Sequence, residues 1–412
     1  MLSPPHEKMK LDPSPPPSLS ILSVPNEVAL EYLSLVSRSD HAALCAVSRS
    51  YRSLVGSPHL YEIRSLMGRT ETYVYVCIRA PPPGPSPRWY ILRRRETSSD
   101  LIPIPSLPSQ AQESSSVVVV DWGIYVIGGL TKGKATSDVF LLDCRTHKWR
   151  QVPSMRLARA NAAAGVVDGK IYVLGGCKFD SGELFDPKTQ TWDSLKPFPE
   201  ELELHGRYIH DSFVRDQKVY AVCGKIDGTD TTFYYSPRED NWGRGNSRSS
   251  LGNARDWCRV GDLLYSISRD GTIYWCEPEE LDWREPEGMV TKEVKGLDSL
   301  KKSLSCSRLI FFDHQNVHLW EQFRKVYNGT FRIPEVMDLL PGARLTTFGP
   351  NMLLFWSVLV GDRLQISCAE ISLERQGQGD EVRGNIESTS VVLTVDPFDY
   401  GYKVLYSASV LV

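Results

Sequence analysis

The stretch NAAAGVVDGKIYVLGG, from Asn161 to Gly176, decides the fold of this chain. It contains two runs of β-forming residues joined by Asp168-Gly169, a dipeptide typical of a tight hairpin turn. The closing Gly175-Gly176 pair suits a point where the chain bends sharply after a strand. Internal repeats take precedence over local patterns, and this hairpin recurs along the chain.

The recurrence has a nearly constant period. IYVIGG begins at Ile124, IYVLGG begins 47 residues later at Ile171, and VYAVCG begins 48 residues after that at Val219. A weaker fourth copy, LLYSIS, begins at Leu263. A tryptophan follows each copy, at Trp149, Trp192, Trp242 and Trp283. Such a period, with four short strands in each repeat, is typical of the blades of a β-propeller.

The strand pattern predicts a ring of six blades. Five of them fall at roughly 114–153, 159–197, 207–248, 254–294 and 343–388. The last residues, 402–412, read as one strand with nothing after it, whereas 72–105 holds three strands without an inner one. We therefore predict a composite blade from these two segments, which closes the ring and covers the sheet edges at the chain ends. Residues 301–339 do not fit this count and are predicted to be an insertion; the alternative is a seventh blade.

A short helical segment precedes the strands. Pro25 and Glu27 suit the first turn of a helix, and Leu30 and Leu33 follow at helical spacing. The pattern predicts three or four short helices within about 45 residues, which is too small for a stable independent core. Such a module is expected to complete its core against another protein, and the alternative is a helical cap on the domain that follows.

Composition limits the classes of function. The formal net charge of −3 argues against nucleic-acid or membrane-surface binding, since both need a basic field. No apolar run is long enough to span a membrane, and the proline-broken residues 1–17 predict a disordered leader and no secretory signal. The nine cysteines include no C-x-x-C pair, which favours reduced thiols in the cytoplasm or nucleus over disulfides or a zinc site.

Two parts of the chain resemble known families. LSVPNEVALEYLSLVSRSDHAALCAVSRSYRSLVGSPHLYEIR, residues 22–64, resembles the F-box, with Val24 where leucine is commoner. The blades around the two Gly-Gly pairs resemble the kelch repeat, and the resemblance weakens at Cys223-Gly224. Together they are similar to the plant F-box/kelch-repeat proteins. The resemblance implies a small all-α F-box module at 18–68 and an all-β, six-bladed kelch-type β-propeller at 69–412.

The resemblance also implies a function. F-box modules bind the Skp-type adaptor of a cullin-based ubiquitin ligase, so this chain would be a non-catalytic subunit that holds a protein target with its propeller. The positions that match the adaptor-binding motif are Pro25, Glu27, Leu30, Leu33, Val36, Leu44, Val47 and Leu54.

Arginines recur every 48 residues where inner strands are expected to begin. We predict that they and their neighbours contact an acidic target, and the alternative is that each arginine bonds a neighbouring blade. The predicted target-binding residues are Arg159, Asn161, Arg207, His210, Arg255 and Asp256.

Propellers also host enzymes and glycan-binding proteins, so the fold alone does not decide the function. SRDGTIYW at 268–275 departs from the spacing of a sialidase Asp-box, and an Asp270-Gly271 turn explains it. His314 and His318 lack the glutamate of a metalloprotease motif, and no phosphate-binding glycine loop is present. We predict no catalytic, cofactor or metal site. The alternative is a propeller-fold hydrolase or glycan-binding protein with an unrelated helical leader.

Overall fold

A computed structural model of the chain divides it into two compact units, Met1–Glu71 and Thr72–Val412. The residues it describes are 25–79, 87–95, 98–105, 114–131, 133–177, 182–199, 207–225, 230–245, 255–268, 271–278, 292–309, 343–360, 363–377, 381–395 and 402–412. The predicted leader at 1–17 lies outside these residues and stays a prediction.

The first unit is helical. It consists of α1 (Asn26–Ser34), a 3₁₀ turn (Arg38–Asp40), α2 (His41–Val47), α3 (Arg49–Val55) and α4 (Pro58–Leu66). The Ser48 side chain caps α3 by accepting a hydrogen bond from the Tyr51 backbone N–H at 3.1 Å. Such caps satisfy N–H groups that a helix leaves unpaired, and each contributes about 1 kcal/mol. Short capped helices of this kind match the pattern predicted from the sequence.

The second unit is built from strands, with one further helix, α5 (Asp298–Leu309). The strands are β1 (Thr72–Arg79), β2 (Arg88–Arg94), β3 (Ser99–Pro103), β4 (Ser116–Val120), β5 (Gly123–Ile127), β6 (Leu130–Thr131), β7 (Lys134–Ala135), β8 (Val139–Asp143), β9 (Lys148–Val152), β10 (Ala163–Val167), β11 (Lys170–Leu174), β12 (Gly182–Asp186), β13 (Thr191–Ser194), β14 (Arg207–Arg215), β15 (Lys218–Lys225), β16 (Asp230–Ser236), β17 (Asn241–Arg244), β18 (Arg255–Val260), β19 (Leu263–Ile267), β20 (Ile273–Cys276), β21 (Lys292–Glu293), β22 (Ala343–Phe348), β23 (Asn351–Val360), β24 (Arg363–Gln376), β25 (Glu381–Val395) and β26 (Lys403–Leu411).

These strands form a six-bladed β-propeller, which confirms the predicted fold. From the inner to the outer strand, the antiparallel sheets are β4-β5-β8-β9, β10-β11-β12-β13, β14-β15-β16-β17, β18-β19-β20-β21, β22-β23-β24-β25 and β26-β1-β2-β3, here called blades 1 to 6. Each inner strand touches the next around the ring, and β26 returns to β4. A closed ring leaves each sheet with one outer edge and no exposed inner edge.

Side-chain hydroxyls tie the inner strands together. Each donates to a main-chain carbonyl in or beside the neighbouring inner strand: Ser116 to Ala162 (2.7 Å), Ser212 to Ala164 (3.0 Å), Thr347 to Arg259 (2.6 Å) and Ser407 to Leu345 (3.2 Å). Since inner strands of adjacent blades share no β-ladder, these bonds supply direct hydrogen bonds between neighbouring inner strands.

The repeated tryptophans tie the outer strands together. Each indole N–H donates to a carbonyl just after the outer strand of the preceding blade: Trp149 to Pro105 (2.8 Å), Trp192 to Pro153 (2.7 Å) and Trp242 to Lys196 (2.9 Å). Their recurrence in the sequence therefore reflects one inter-blade contact made three times. The fourth repeat tryptophan, Trp283, lies outside the described residues.

The Gly-Gly pairs are required by close backbone approach. Gly128 has a φ of 59°, and a Cβ atom there would lie 2.4 Å from the Arg159 carbonyl oxygen. Gly176 has a φ of 69°, and its Cβ would lie 2.8 Å from the Ala160 carbonyl oxygen. Any other residue would therefore be both strained and in collision. In blade 3 the pair becomes Cys223-Gly224, and β15 continues through it to Lys225.

Blade 6 contains both ends of the propeller sequence. Its inner strand, β26, pairs antiparallel with β1, and the register sets Leu411 opposite Thr72 and Lys403 opposite Arg79. Val404 of this blade packs in one apolar cluster with Leu353 and Phe355 of blade 5. The C-terminal strand is therefore part of the propeller core.

Blade 4 has a short outer strand, since β21 spans two residues. Leu297, Leu300 and Leu304, at and within α5, share an apolar cluster with Trp275 of this blade and Ile371 of blade 5. The helix and the long β24–β25 hairpin thus cover apolar surface that a longer outer strand would bury. Of the predicted insertion at 301–339, residues 301–309 belong to α5, and the remainder lies outside the described residues.

Two neighbouring residues of β26 test whether this strand stabilises the ring. Val410 is 1% exposed and Leu411 is 57% exposed. We expect Val410→Asp to lower the free energy of unfolding by more than about 3 kcal/mol, because it buries a carboxylate without a partner. Leu411→Asp, the matched control, should change it by no more than about 0.5 kcal/mol. Chemical denaturation followed by tryptophan fluorescence measures both values, and equal effects would contradict a structural role for β26.

Candidate functional site

The helical unit has a small core of its own. Leu30 and Leu33 of α1 are buried, together with Val55 of α3 and Leu60 and Tyr61 of α4. α1 packs against α4, and α2 packs against α3. Few apolar side chains are buried, so packing alone provides little stability for this unit.

A buried arginine stabilises this small core with hydrogen bonds. The Arg64 guanidinium donates to the carbonyls of Ser34 at 3.1 Å, Val36 at 2.6 Å and Arg69 at 2.7 Å, and to the Glu71 carboxylate at 2.6 Å. It therefore joins the end of α1 to the chain that follows α4. Charge-assisted bonds of this kind are stronger than neutral ones, and they fix the angle between the two helices.

The same unit exposes large apolar side chains. Val28 and Tyr32 lie on one face of α1, and Leu35, the C-cap residue that follows it, continues this face at helical spacing. The other large apolar side chains that the described part of this unit exposes are Val47, Leu66 and Met67. Met67 lies beside α1, since the Ser34 hydroxyl contacts its sulfur atom at 3.1 Å. Several exposed large apolar side chains on so small a unit are typical of a protein-binding surface.

The residues predicted to bind the adaptor occupy three kinds of position. Pro25, Glu27 and Val47 are exposed; Val36, Leu44 and Leu54 are half-buried; Leu30 and Leu33 are buried. The exposed residues can therefore contact a partner directly, whereas Leu30 and Leu33 can only support the surface from within. The motif pattern did not single out Tyr32, Leu35, Leu66 or Met67. Tyr32 and Leu35 could have been found from their helical spacing relative to Val28.

A second candidate site is the propeller surface at which the inner strands begin, here called the loop face. Arg207 is the first residue of β14 and Arg255 the first residue of β18. His210 lies at an irregularity in the pairing of β14, and Asp256 lies in a similar shift in β18. Asn161 is exposed just before β10, with a φ of 53°, and its N–H donates to the Ser114 carbonyl at 2.8 Å. The backbone thus brings five predicted target-binding residues to one face.

Arg159 does not belong to that surface. It is 1% exposed, and its guanidinium bonds the Glu183 carboxylate at 2.9 Å and the Gly175 carbonyl at 2.5 Å. Its backbone carbonyl accepts from Gly129 of the neighbouring blade at 2.8 Å. The prediction that Arg159 contacts a target is therefore wrong, because the side chain forms a buried ion pair with Glu183. The guanidinium partners Glu183 and Gly175 lie in blade 2, whereas the main-chain carbonyl contacts blade 1, so the contact with the neighbouring blade is made by the backbone of Arg159.

Three further features bear on enzymatic and membrane functions. Gly271 has a φ of 82°, and its N–H donates to the Ser268 carbonyl at 3.1 Å, as in a simple turn. Within the described ranges, no three histidine, cysteine, aspartate or glutamate side chains meet as a candidate metal site. Of the helices described above, none combines the length and apolarity of a membrane-spanning segment. His314 and His318 lie outside the described residues.

Comparison with known proteins identifies the family. Residues 89–393 match the FKB95, Kelch-repeats domain. An F-box/kelch-repeat protein of Arabidopsis thaliana is 38% identical to this chain, over 98% of the chain and 97% of that protein. The chain belongs to the F-box/kelch-repeat family. A second Arabidopsis thaliana member is 31% identical over 99% of each chain, and a third is 32% identical over 95% of each. These matches include the helical unit, so the resemblance to the F-box/kelch-repeat proteins is confirmed along the whole chain.

The Arg159–Glu183 pair generates a test of its structural role. We expect Arg159→Met to lower the free energy of unfolding by about 3–5 kcal/mol, because the Glu183 carboxylate would remain buried without its partner. The double variant Arg159→Met/Glu183→Gln should lose less, since a neutral amide can still accept from the Arg156 and Leu157 backbone N–H groups. Denaturation of both variants measures the difference. A single variant as stable as the unaltered protein would contradict the assignment.

His41 makes the stability of the helical unit depend on pH. It is buried at the start of α2, with its ring edge-on to Tyr61. Burial, together with the nearby positive charges of Arg64 and Arg38, lowers the pKa of His41 from 6.5 to about 4. The neutral ring is thus favoured in the folded state, and the unfolded chain binds an extra proton between these two pH values.

We therefore expect the helical unit to be fully stable above pH 6.5 and to lose about 3 kcal/mol as the pH falls from 6.5 to 4. Amide hydrogen exchange of α1 and α4, corrected for the intrinsic rate at each pH, measures the loss. His41→Gln should flatten this dependence, while exchange in blade 2 serves as an internal control. A variant with the same pH dependence as the unaltered protein would show that another group is responsible.

Proposed function

We propose that this F-box/kelch-repeat protein is the substrate-recognition subunit of a Skp-cullin-F-box ubiquitin ligase. Its helical unit binds the Skp-type adaptor and, through it, the cullin scaffold. Its propeller binds a protein target and presents it for ubiquitination and proteasomal degradation. The chain does no chemistry; it raises the effective concentration of the target beside the transferred ubiquitin.

The observation that carries this proposal is the exposed apolar face of α1. A helical unit with so few buried side chains gains stability when a partner covers Val28, Tyr32 and Leu35. Such apolar anchors at helical spacing suit packing against helices of another protein. A hydrolase or glycan-binding propeller with an unrelated helical leader has no use for this face.

The propeller suits target capture because it holds loops on a rigid frame. Six blades, tied by hydroxyl and indole hydrogen bonds, fix where each loop begins and ends. Loops on such a frame vary in sequence without disturbing the core. The cytoplasm or nucleus is the proposed location, which agrees with eight free cysteines among the described residues.

Leu35 and Val360 provide a matched test, since they are 52% and 51% exposed on the helical unit and on β23 respectively. We expect Leu35→Asp to abolish co-purification with a co-expressed Skp-type adaptor, because it places a charge in an apolar contact. Val360→Asp should leave adaptor recovery unchanged. Both variants should keep the propeller's unfolding midpoint. Full adaptor recovery with Leu35→Asp would count against the proposed function.

A further inference from the structure

The outer strand of blade 5 is much longer than the outer strand of any other blade. β25 spans 15 residues, whereas the outer strands of the other five blades span two to five. An outer strand pairs with its own blade on one side only, so the backbone N–H and C=O groups on its other side need water or another strand. Among the strands described above, β25 therefore presents the longest row of such groups.

The chain itself already pairs with the first part of this edge. Lys295 lies parallel beside Arg383. Its N–H donates to the Val382 carbonyl at 3.0 Å, and its carbonyl accepts from the Gly384 N–H at 2.9 Å. α5 begins three residues later, at Asp298, and the pairing ends there. From residue 386 to residue 395, no other segment of the described chain bonds to the outer side of β25.

Packing of the two faces of β25 accounts for its length but not for its open edge. Val382 shares an apolar cluster with α5 and blade 4, and Val392 shares one with blade 6. Side chains stand on the faces of a sheet, so these contacts leave the edge unused. Between the two valines, residues 387–389 are exposed and Val391 is 47% exposed. The open edge is thus accessible.

The open part of β25 lacks features that protect the edges of other outer strands. Proteins guard such edges with charged side chains, prolines, short strands or bulges. The outer strands of blades 1, 2, 3 and 6 are short and each carries a charged residue: Lys148, Asp193, Arg244 and Asp100 respectively. Residues 388–395, STSVVLTV, contain neither a charge nor a proline. Two bulges, at Glu387 and Val392, bound a regular stretch at 388–391, which is the part that can accept a strand.

We propose that this stretch pairs antiparallel with the same stretch of a second copy of the chain. A two-fold axis through Ser390 sets Thr389 of each copy opposite Val391 of the other. This register is allowed because side chains alternate between the two faces of a strand, so residues two apart share a face. The pairing joins the four-stranded blade 5 of each propeller into one continuous sheet.

The chemistry of the edge suits a copy of itself. Identical surfaces repel each other where they carry charge, and the charged residue nearest to Ser390 in β25 is Glu387. In this register Glu387 lies opposite position 393, so the two Glu387 side chains are separated by about 20 Å along the ladder. That distance exceeds the screening length of about 8 Å at physiological ionic strength. The pairing covers the exposed Val391, whereas a highly charged strand would find no opposite charge at 388–391.

The dimer is expected to be weak. A ladder of this length covers less than the roughly 1,600 Å² of a standard protein interface, so we expect a dissociation constant on the order of 10–100 µM. Monomer and dimer then exchange with concentration. This pairing does not depend on the proposed function, since neither the adaptor nor a target takes part in it.

Sedimentation velocity of the full-length chain, from about 1 to 200 µM, measures this equilibrium. We expect Thr389→Lys/Val391→Lys to raise the dissociation constant at least about tenfold, because it sets lysine opposite lysine twice. Thr389→Glu/Val391→Glu should have the same effect. An equimolar mixture of the two variants should form dimers again, because each lysine then faces a glutamate.

The control, Gln151→Lys/Thr191→Lys, adds the same two positive charges at exposed positions of β9 and β13. Its dissociation constant should stay within about twofold of the unaltered value. Hydrogen exchange of the Thr389 and Val391 amides in the unaltered chain is a second measurement, and it decides the matter if the lysine variant has a lowered unfolding midpoint. Protection of these amides should rise with protein concentration.

Three sedimentation results would each overturn the proposal: an unaltered chain that stays monomeric over this range, a lysine variant that dimerises as well as its control, and a mixture that stays monomeric. Amide protection that is the same at every concentration would overturn it too. The edge would then be either covered within one chain or open in every chain, and in neither case would a second copy pair with it.

Discussion

The pairing of β26 with β1 is the constraint on which the propeller depends. These two strands are the last and first of the unit, and their ladder runs from Thr72 opposite Leu411 to Arg79 opposite Lys403. Without it, β1 would present an unpaired inner edge and blade 5 would lose an apolar neighbour. The remaining blade contacts are local hydrogen bonds and side-chain packing between successive repeats. They propagate order around the ring, whereas this ladder joins the last strand of the unit to its first.

The repeat pattern was enough to predict the propeller because each signature residue makes a contact that recurs. The glycine pair allows backbone approach of the next segment, and the outer tryptophan donates to the preceding blade. Where a signature is lost, the contact changes with it. Cys223 replaces a glycine, and β15 then runs on to Lys225. Blade 4 departs furthest, because α5 and the β24–β25 hairpin cover it instead of a full outer strand.

Side-chain roles at the sites were harder to predict than the fold. Arg159 recurs with Arg207 and Arg255 at a fixed period, yet it forms a buried ion pair with Glu183. The sequence shows that an arginine recurs at the start of three repeats but not whether a glutamate lies within reach. In the helical unit, the motif positions Leu30 and Leu33 proved to be core. A motif records every residue that such a module needs, and interior packing constrains residue type as strongly as partner contact does.

The two surfaces of this protein differ in chemistry in a way that suits different partners. The helical unit exposes apolar side chains, and apolar contacts dominate interfaces that stay assembled, because they strengthen with buried area and resist salt. Two inner strands, β14 and β18, begin at the loop face with Arg207 and Arg255, and charged residues at an interface act more on encounter rate and partner choice than on affinity. The substrate-recognition role proposed above, in which a receptor keeps its adaptor while it exchanges targets, would use this division. Its adaptor contact should survive conditions, such as raised ionic strength, that release the target.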